Sequence, residues 1–380
     1  MTDHPEAANP PGLYIHIPFC LQKCGYCGFA STTDRGLIPG FLAALGREAL
    51  SCRGQWHRFD TLYIGGGTPS VLTTDDLGRV IETTRSAFEM APAAEITLEV
   101  NPGDLDASYL REMRALGVNR LSIGCQSFDD RTLAFLGRRH TARQAGDAVR
   151  LARDTGFANI GIDLIYGIPG QSLSSWQKTL GEALTFAPDH LSCYQLTVEE
   201  GTPLARRCQR GETALPGEAI QADFFLMTSR VLAEGGYDHY EVSNFARLSE
   251  TQSRHNKKYW DHTPYLGLGP AAHSFDGRRR WWNIRSVDHY IRELAAGRPP
   301  VADSELLTPD QLRTETLFLG LRTRQGVDLG AFKRRFGSDL VREKRKILKT
   351  LSEEGLVEIR DGFLRPTRAG MAVADSLALI

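Results

Sequence analysis

Residues 13–27 read LYIHIPFCLQKCGYC, a short apolar run followed at once by a loop with three cysteines. The apolar and β-branched residues of Leu13–Ile17 predict a β-strand. Three thiolates from one loop (Cys20, Cys24 and Cys27) favour a soft metal centre, either zinc or an iron–sulfur cluster. A structural zinc site takes four protein ligands, whereas three cysteines on a four-iron cluster leave one iron open to another molecule.

The alternation of a strand with a helix recurs along the N-terminal half of the chain. Amphipathic segments separate the predicted strands, and such alternation calls for parallel pairing through right-handed crossovers. Six strand–helix units are fewer than the eight of a closed barrel. We therefore predict an α/β fold with a partial (βα)6 TIM-type barrel. After the first strand, its strands are expected at Thr61–Ile64, Glu95–Val100, Arg120–Gly124, Asn159–Ile165 and His190–Gln195.

Composition excludes several classes of protein. The chain has 380 residues, 41% hydrophobic and 24% charged, with a net charge of −1, which argues against coating nucleic acid as the main function. No apolar run is long enough for a membrane span. The first residues lack the features of a secretory signal, and the seven cysteines are too sparse for a disulfide scaffold. We expect a cytoplasmic protein without a nucleic acid partner.

Candidate binding residues follow the predicted strands directly, where parallel sheets carry their functional groups. Gly65–Thr68 comes after the second strand, and glycines there let the backbone approach a ligand closely. Glu99 closes the third strand, and its carboxylate can accept hydrogen bonds from ribose hydroxyls or an ammonium group. Asn101, Gln126 and Tyr166 likewise follow the third, fourth and fifth strands directly.

The tract from Tyr14 to Cys27 resembles the signature of the radical S-adenosylmethionine (SAM) enzymes. Blocks around Gln126, Arg138 and Asp163 resemble the oxygen-independent coproporphyrinogen III oxidase branch of that family. The resemblance implies a [4Fe-4S] cluster on the three cysteines, SAM bound through its methionine amino and carboxylate groups to the open iron, and an electron donor to the cluster.

The same resemblance assigns SAM-contacting residues by position. Tyr14, Gly66 and Glu99 match residues that contact the cluster-bound SAM. Residues matching the contacts of a second SAM in the oxidase are Tyr26, Gly67, Thr68, Gln126, Arg138 and Asp163, and less clearly Thr197. Whether one or two SAM molecules bind here is left open.

Two features depart from the oxidase pattern. The oxidase pattern is Cys-x3-Cys-x2-Cys-x-Cys, but here Phe29 stands where the fourth cysteine would be. The segment before the first strand is also shorter than in the oxidase. The block His255-Asn256-x-x-Tyr259-Trp260 is instead similar to a motif of the haem chaperone branch. An imidazole can ligate haem iron, and Tyr and Trp rings can pack on a macrocycle. His262 and His273 remain open as second ligands.

The chain divides into four predicted segments. Residues 1–11 are a disordered tail, 12–240 the partial barrel, 241–300 an aromatic- and glycine-rich connecting region, and 301–380 a winged-helix-like α+β domain. The stretch Tyr240–Trp282 is expected to form loops over a pocket. The last segment has only a small excess of basic residues, which is weak support for DNA binding.

The resemblance favours a haem chaperone with a radical SAM core, whose partners are haem and haem-requiring acceptor proteins. The first alternative is an oxygen-independent coproporphyrinogen III oxidase, which makes protoporphyrinogen IX. A redox-sensing DNA-binding regulator is the second alternative. The sequence does not reveal whether the protein is an enzyme, which protein accepts the haem, or the oligomeric state.

Overall fold

The computed structural model describes residues 9–56 and 58–377. Most of the predicted tail, residues 1–8, therefore lies outside the described residues. The first half alternates strands and helices as predicted. Each predicted strand is present, and it begins at the expected residue or before it. The elements are β1 Gly12–Ile17, α1 Ile38–Ser51, β2 Arg58–Gly66, α2 Thr74–Ala87, β3 Glu89–Val100, α3 Ala107–Ala115, β4 Arg120–Gln126, α4 Asp130–Phe135, α5 Ala142–Asp154, β5 Asn159–Tyr166, α6 Leu173–Thr185 and β6 His190–Gln195.

Strands β1 to β6 are parallel and lie side by side in chain order, which confirms the partial (βα)6 barrel. Their outer face is apolar and packs on the helices through residues such as Ile15, Ile64 and Leu121, which are fully or almost fully buried. The inner face is polar, because the register aligns Tyr14 with Tyr63 and Asp163 with Ser192. The interior of the barrel is therefore built to bind polar groups rather than to fill space.

The second half of the chain extends both edges of this sheet and then forms a smaller domain. Its elements are α7 Pro203–Gln209, α8 Glu218–Glu234, β7 Asp238–Glu241, β8 Asn244–Ala246, α9 Arg254–Trp260, β9 Tyr265–Leu268, β10 His273–Phe275, β11 Arg279–Asn283, α10 Val287–Ala295, β12 Val301–Leu306, α11 Pro309–Gly320, β13 Val327–Asp328, α12 Leu329–Phe336, α13 Leu340–Glu343, α14 Arg345–Glu353, β14 Val357–Arg360, β15 Phe363–Pro366, α15 Arg368–Ala372 and α16 Ala374–Leu377.

The expectation of loops over Tyr240–Trp282 is wrong. Strand β9 pairs in parallel with β1, and β10 to β12 continue the sheet in antiparallel order. At the other edge, β8 and β7 add to β6. Leu266 and Leu268 are buried in β9, so the short strands cover an edge of the barrel sheet that would otherwise be left unpaired.

The C-terminal domain has its own core and a three-stranded sheet in the order β13–β15–β14. Phe332, Leu348 and Leu364 pack together at its centre. Helices followed by a small hairpin confirm the predicted winged-helix-like outline. β12, which begins at Val301, pairs with β11 and so belongs to the large sheet. Over the part of the chain that the structure describes, no helix is both long enough and apolar enough to span a membrane.

Candidate functional site

The cysteine loop follows β1, and backbone hydrogen bonds join its two ends. The N–H of Cys20 donates to the carbonyl of Thr32 at 3.0 Å, and the N–H of Thr32 donates to Pro18 at 2.8 Å. All seven thiols of the chain are free. Two of the loop thiols have donors from other elements, since Thr68 Oγ1 lies 3.4 Å from the sulfur of Cys20 and Arg138 Nη1 lies 3.5 Å from that of Cys24.

The glycines after β2 allow this loop to lie against the strand ends. Gly66 has a φ of 114°, and a Cβ there would lie 2.6 Å from the ring of His16. A Cβ on Gly67 would lie 2.7 Å from the carbonyl oxygen of Phe19. A side chain at Gly66 would therefore collide with β1, and one at Gly67 would collide with the backbone that leads into the cysteine loop. The predicted approach of this backbone to a ligand stays a prediction.

Glu99 is held at the end of β3 by two donors. The hydroxyl of Tyr63 donates to Oε1 at 2.8 Å, and the backbone N–H of Gly66 donates to Oε2 at 3.0 Å. Burial raises the pKa of Glu99 to about 7, although both hydrogen bonds favour the ionised form. Sequence reasoning missed Tyr63, whose alternation with Leu62 and Ile64 on β2 would have placed it on the inner face.

Asp163 lies on β5, across the inner face from Glu99. The hydroxyl of Ser122 donates to both of its carboxylate oxygens, at 2.9 and 3.1 Å. Burial raises the pKa of Asp163, and hydrogen bonds from Ser192 and Ser122 oppose that rise. These two serines were not identified from the sequence. Ser122 is paired with Glu99 across β3 and β4, and Ser192 is paired with Asp163 across β5 and β6. This pairing with carboxylates is the signal that could have revealed the two serines.

Gln126 and Arg138 complete the wall between the loop and β4. Gln126 has a φ of 64°, a left-handed conformation that costs a residue with a side chain about 1–3 kcal/mol and often marks a functional site. Arg138 Nη2 donates to the carbonyl of Gly124 at 3.0 Å, while its Nη1 faces Cys24. The guanidinium is thus anchored on one side and directed at the thiols on the other.

These side chains line one cavity of about 1230 Å³ at the carboxyl ends of the barrel strands. Among the predicted site residues, its lining holds Cys20, Cys24, Cys27, Tyr26, Gly66, Gly67, Thr68, Glu99, Gln126, Arg138, Asp163 and Thr197. Tyr14 lies behind this wall, where its hydroxyl is hydrogen-bonded to His16 Nδ1 at 3.0 Å. Sequence reasoning missed the opposite wall, which Arg322 and residues 371–376 of the C-terminal domain supply.

The His255 block forms helix α9 at the other end of the barrel. Glu95, at the start of the core of β3, accepts the backbone N–H groups of Arg254 and His255, both at 3.1 Å. His255 is 1% exposed, and each of its ring nitrogens has a partner at 2.9 Å, Thr61 Oγ1 on Nδ1 and Tyr259 on Nε2. Burial lowers the pKa of His255 to about 3.

The four residues of this block face three different surroundings. His255 and Tyr259 lie inside the end of the barrel, where the His255 ring is 5.2 Å from that of Tyr63. Asn256 lines the large cavity. Trp260 lines a second cavity of about 560 Å³, between α9 and the C-terminal domain.

Comparison with known proteins decides the family. Residues 14–183 match the Radical SAM superfamily, and residues 307–373 match the HemN C-terminal domain. A protein of Mycobacterium tuberculosis named heme chaperone HemW is 37% identical over 379 residues, covering 98% of this chain and 95% of the relative. A Bacillus subtilis protein of the same name is 33% identical, covering 96% and 97%. The chain belongs to the HemW family.

Membership of the HemW family, within the radical SAM superfamily, implies a [4Fe-4S] cluster and SAM. The residues present fit both groups. Three free thiols on one loop face a cavity, and a buried carboxylate lies across from them on β3. Within residues 9–56 and 58–377, no three His, Cys, Asp or Glu side chains are arranged to hold a single metal ion.

This chain also shares its fold with a solved structure of a radical SAM enzyme that acts on a porphyrin precursor. The Escherichia coli coproporphyrinogen III oxidase HemN, a radical SAM enzyme, superimposes with a TM-score of 0.84 at 25% identity, covering 97% of this chain and 89% of that one. Phe29, which stands at the predicted position of the oxidase's fourth cysteine, is 64% exposed beside the large cavity. An exposed phenylalanine at this position adds apolar surface and carries no thiol.

Proposed function

We propose that this protein binds haem and passes it to haem-requiring proteins. One observation carries the proposal: the chain aligns over nearly its whole length with proteins named heme chaperones, at 33–37% identity. Phe29 supports it, because the predicted cysteine set stops at three. The match of residues 307–373 to the HemN C-terminal domain favours this function over that of a DNA-binding regulator.

We infer that Cys20, Cys24 and Cys27 hold the cluster, which when reduced supplies an electron to bound SAM. Thr68 and Arg138 are placed to donate hydrogen bonds to two of the sulfurs, and such bonds stabilise thiolates. The proposal assigns an N–H of the SAM amino group to Glu99, because this carboxylate is buried at the end of β3 and accepts the N–H of Gly66, at the end of β2.

The remaining SAM contacts are assigned to residues around the same cavity. Asp163, fixed by its serine donors, offers acceptor oxygens for hydroxyl groups. Tyr14, on β1 beside Tyr63, is also a proposed contact, although it does not line the cavity. The other proposed contacts are Tyr26, Gly66, Gly67, Thr68, Gln126 and Arg138. The cavity volume of about 1230 Å³ exceeds the roughly 300–1,000 Å³ of ordinary small-molecule pockets, as a site that holds both a cluster and SAM requires.

Haem binding is assigned to helix α9 with His255, Asn256, Tyr259 and Trp260 as predicted contact residues. Ligation of iron by one ring nitrogen of His255 would require the 2.9 Å hydrogen bond at that nitrogen to break. Trp260 needs no such change to meet a ligand, because it already lines a cavity.

The proposal includes an electron donor that reduces the cluster and a cytoplasmic location. Seven free thiols support a reducing compartment, since paired cysteines are the mark of an oxidising one.

Two assays on one preparation test the function. The full chain, with its cluster reconstituted anaerobically, is titrated with haem and also incubated with coproporphyrinogen III, SAM and a reductant. We expect stoichiometric haem uptake and no protoporphyrinogen IX. Oxidase turnover of about one per second or faster, within the ordinary range for enzymes, would overturn the chaperone proposal.

A further inference from the structure

Arg120 places a buried positive charge inside the barrel. It is the first residue of β4, it is 1% exposed, and it lines the large cavity. Its Nε has no hydrogen-bond partner, and within residues 9–56 and 58–377 its guanidinium makes no ion pair with a carboxylate. Keeping a charge out of water without a paired partner is costly, so an arginine in this position calls for a function.

The strand register places this guanidinium just below the two carboxylates that are assigned to SAM. Arg120 is aligned with Thr97 of β3, two residues before Glu99 on the same face. On β5, a Cβ at Gly161 would lie 3.6 Å from Arg120 Nη2, and Gly161 comes two residues before Asp163. The guanidinium therefore lies over the bare backbone of Gly161, on the side of the barrel interior away from the cysteine loop.

Three carboxylates face the barrel interior around this cation. Glu95 has both oxygens occupied, since each accepts a backbone N–H from the start of α9 at 3.1 Å. Glu99 and Asp163 keep free acceptor positions at the cavity, because an ionised carboxyl offers about four and only some of them are used by the protein. Arg120 is thus close to both SAM-assigned carboxylates without occupying their oxygens.

The charge of Arg120 acts on both carboxyls. Burial raises the pKa of Glu99 to about 7 and also raises the pKa of Asp163, and Arg120 opposes the rise in each case. Arg138 is a second cation near Asp163, but its guanidinium is engaged with the sulfur of Cys24 and the carbonyl of Gly124.

The other titratable groups around Arg120, Glu99 and Asp163 are neutral at neutral pH. Loss of contact with bulk water raises the pKa of each of these hydroxyls and thiols and lowers the pKa of each imidazole. They are Tyr14 on β1, Tyr63 on β2, Cys125 on β4, His190, Cys193 and Tyr194 on β6, Tyr240 on β7, and His255 and Tyr259 on α9.

We propose that Arg120 is a positioning residue that keeps Glu99 and Asp163 ionised while leaving their oxygens free to accept hydrogen bonds from SAM. A guanidinium in direct contact would occupy the acceptor positions that the ligand needs, whereas one beyond ion-pair distance stabilises the charge alone. This inference rests on the proposed function, which assigns SAM to these two carboxylates.

Calorimetric titration of the cluster-loaded full chain with SAM, repeated between pH 6 and pH 9, tests this role. Arg120→Met removes the charge and keeps an unbranched side chain. We expect the midpoint of the pH dependence to rise from about 7 by about one unit, the lower end of the effect of a nearby opposite charge. SAM should then bind about fivefold more weakly than to the unsubstituted protein at pH 7, and almost equally well at pH 9.

Two further variants separate the charge of Arg120 from its shape and from the net charge of the protein. Arg120→Lys keeps a positive charge on a different head group, so its midpoint should stay near that of the unsubstituted protein. Arg143→Met is the matched control, because Arg143 on α5 is 91% exposed and lines neither cavity. Its midpoint and its affinity for SAM should equal those of the unsubstituted protein.

The outcomes separate this role from the proposed SAM site. If the unsubstituted protein binds no SAM, or binds it equally well at every pH, the assignment of SAM to Glu99 fails and the role of Arg120 with it. If its affinity depends on pH and Arg120→Met has the same midpoint, the role is wrong and the assignment stands.

Two other results also decide the role. An equal loss of affinity in Arg120→Met at pH 7 and pH 9 would overturn it, because such a loss would indicate direct contact between the guanidinium and SAM. Cluster absorbance reports folding, and if Arg120→Met lacks it, Arg120→Lys decides: an unchanged midpoint supports the role, and a raised one overturns it.

Discussion

Replacement of Glu99 by glutamine should make the protein more stable and less able to bind SAM. Glu99 is a buried carboxyl that accepts hydrogen bonds from Tyr63 and the backbone of Gly66. Glutamine keeps the shape and one acceptor oxygen, but it removes the negative charge. The substitution therefore separates the charge of the acceptor, which strengthens its hydrogen bond to the SAM amino group, from the geometry, which the fold needs.

The expected gain in stability follows from the pKa of Glu99. Burial raises the pKa from 4.5 to about 7, so between these values the folded state keeps a proton that the unfolded state has released. Stability contributed by the protonated group is complete below pH 4.5 and is lost as the pH rises to about 7. At about 1.4 kcal/mol per pKa unit, ionised Glu99 costs the folded state up to about 3 kcal/mol at pH 8. Glutamine removes this cost.

The expected loss in affinity is set by the charged acceptor. A hydrogen bond to a charged group contributes about 1.5–3 kcal/mol, so SAM should bind roughly ten- to a hundredfold more weakly to Glu99→Gln. SAM binding to the unsubstituted protein should strengthen as the pH rises through about 7, and the variant should lack this dependence.

Anaerobic urea unfolding at pH 5 and pH 8, with calorimetric titration of SAM at both values, measures these effects. The free energy of unfolding of the variant should exceed that of the unsubstituted protein by more at pH 8 than at pH 5. A variant that is less stable at pH 8, with SAM affinity unchanged, would refute the assignment of a costly ionised carboxylate to SAM binding.

Three further predictions concern the large cavity. Replacing any one of Cys20, Cys24 and Cys27 by alanine should abolish the iron–sulfur absorbance after reconstitution, whereas Cys52→Ala and Cys208→Ala should retain it; a full iron complement in Cys24→Ala would contradict the ligand set. Asp163→Asn should weaken SAM binding roughly ten- to a hundredfold while the cluster absorbance stays normal, and unchanged affinity would place SAM elsewhere. Tyr63→Phe should weaken SAM binding less than Glu99→Gln, because the carboxylate keeps its bond from Gly66.

Local sequence was sufficient to predict the barrel and its cysteine loop. The strands around Ile15 and Ile162 are apolar, β-branched runs between amphipathic helices, and their outer residues pack on those helices. Cysteine spacing is also a local property, so the loop could be read directly. Strand ends gather in a parallel sheet by topology alone, which explains why Glu99 and Asp163, far apart in sequence, line one cavity.

Features that depend on contacts between distant elements could not be predicted. Strand alternation places Tyr63 on the inner face, but its bond to Glu99 and the bond of Ser122 to Asp163 depend on how the strands are aligned with one another. Arg322 reaches the large cavity because the C-terminal domain packs over the barrel, where the backbone carbonyl of Arg322 accepts the N–H of Val242 at 2.9 Å. The strands within Tyr240–Trp282 are short, and their pairing with β1 stabilises them more than their own propensity does.

The haem motif shows why a matched pattern specifies a helix before it specifies a site. His255 and Tyr259 are four residues apart, as are Asn256 and Trp260, so a helix places the pairs on two adjacent faces. The first pair is bonded together inside the barrel, and the second faces the cavities. Substitutions at Tyr259 therefore perturb the position of α9, whereas those at Trp260 remove a surface that a ligand can touch. A pattern that treats the four residues as equal contacts overlooks this division.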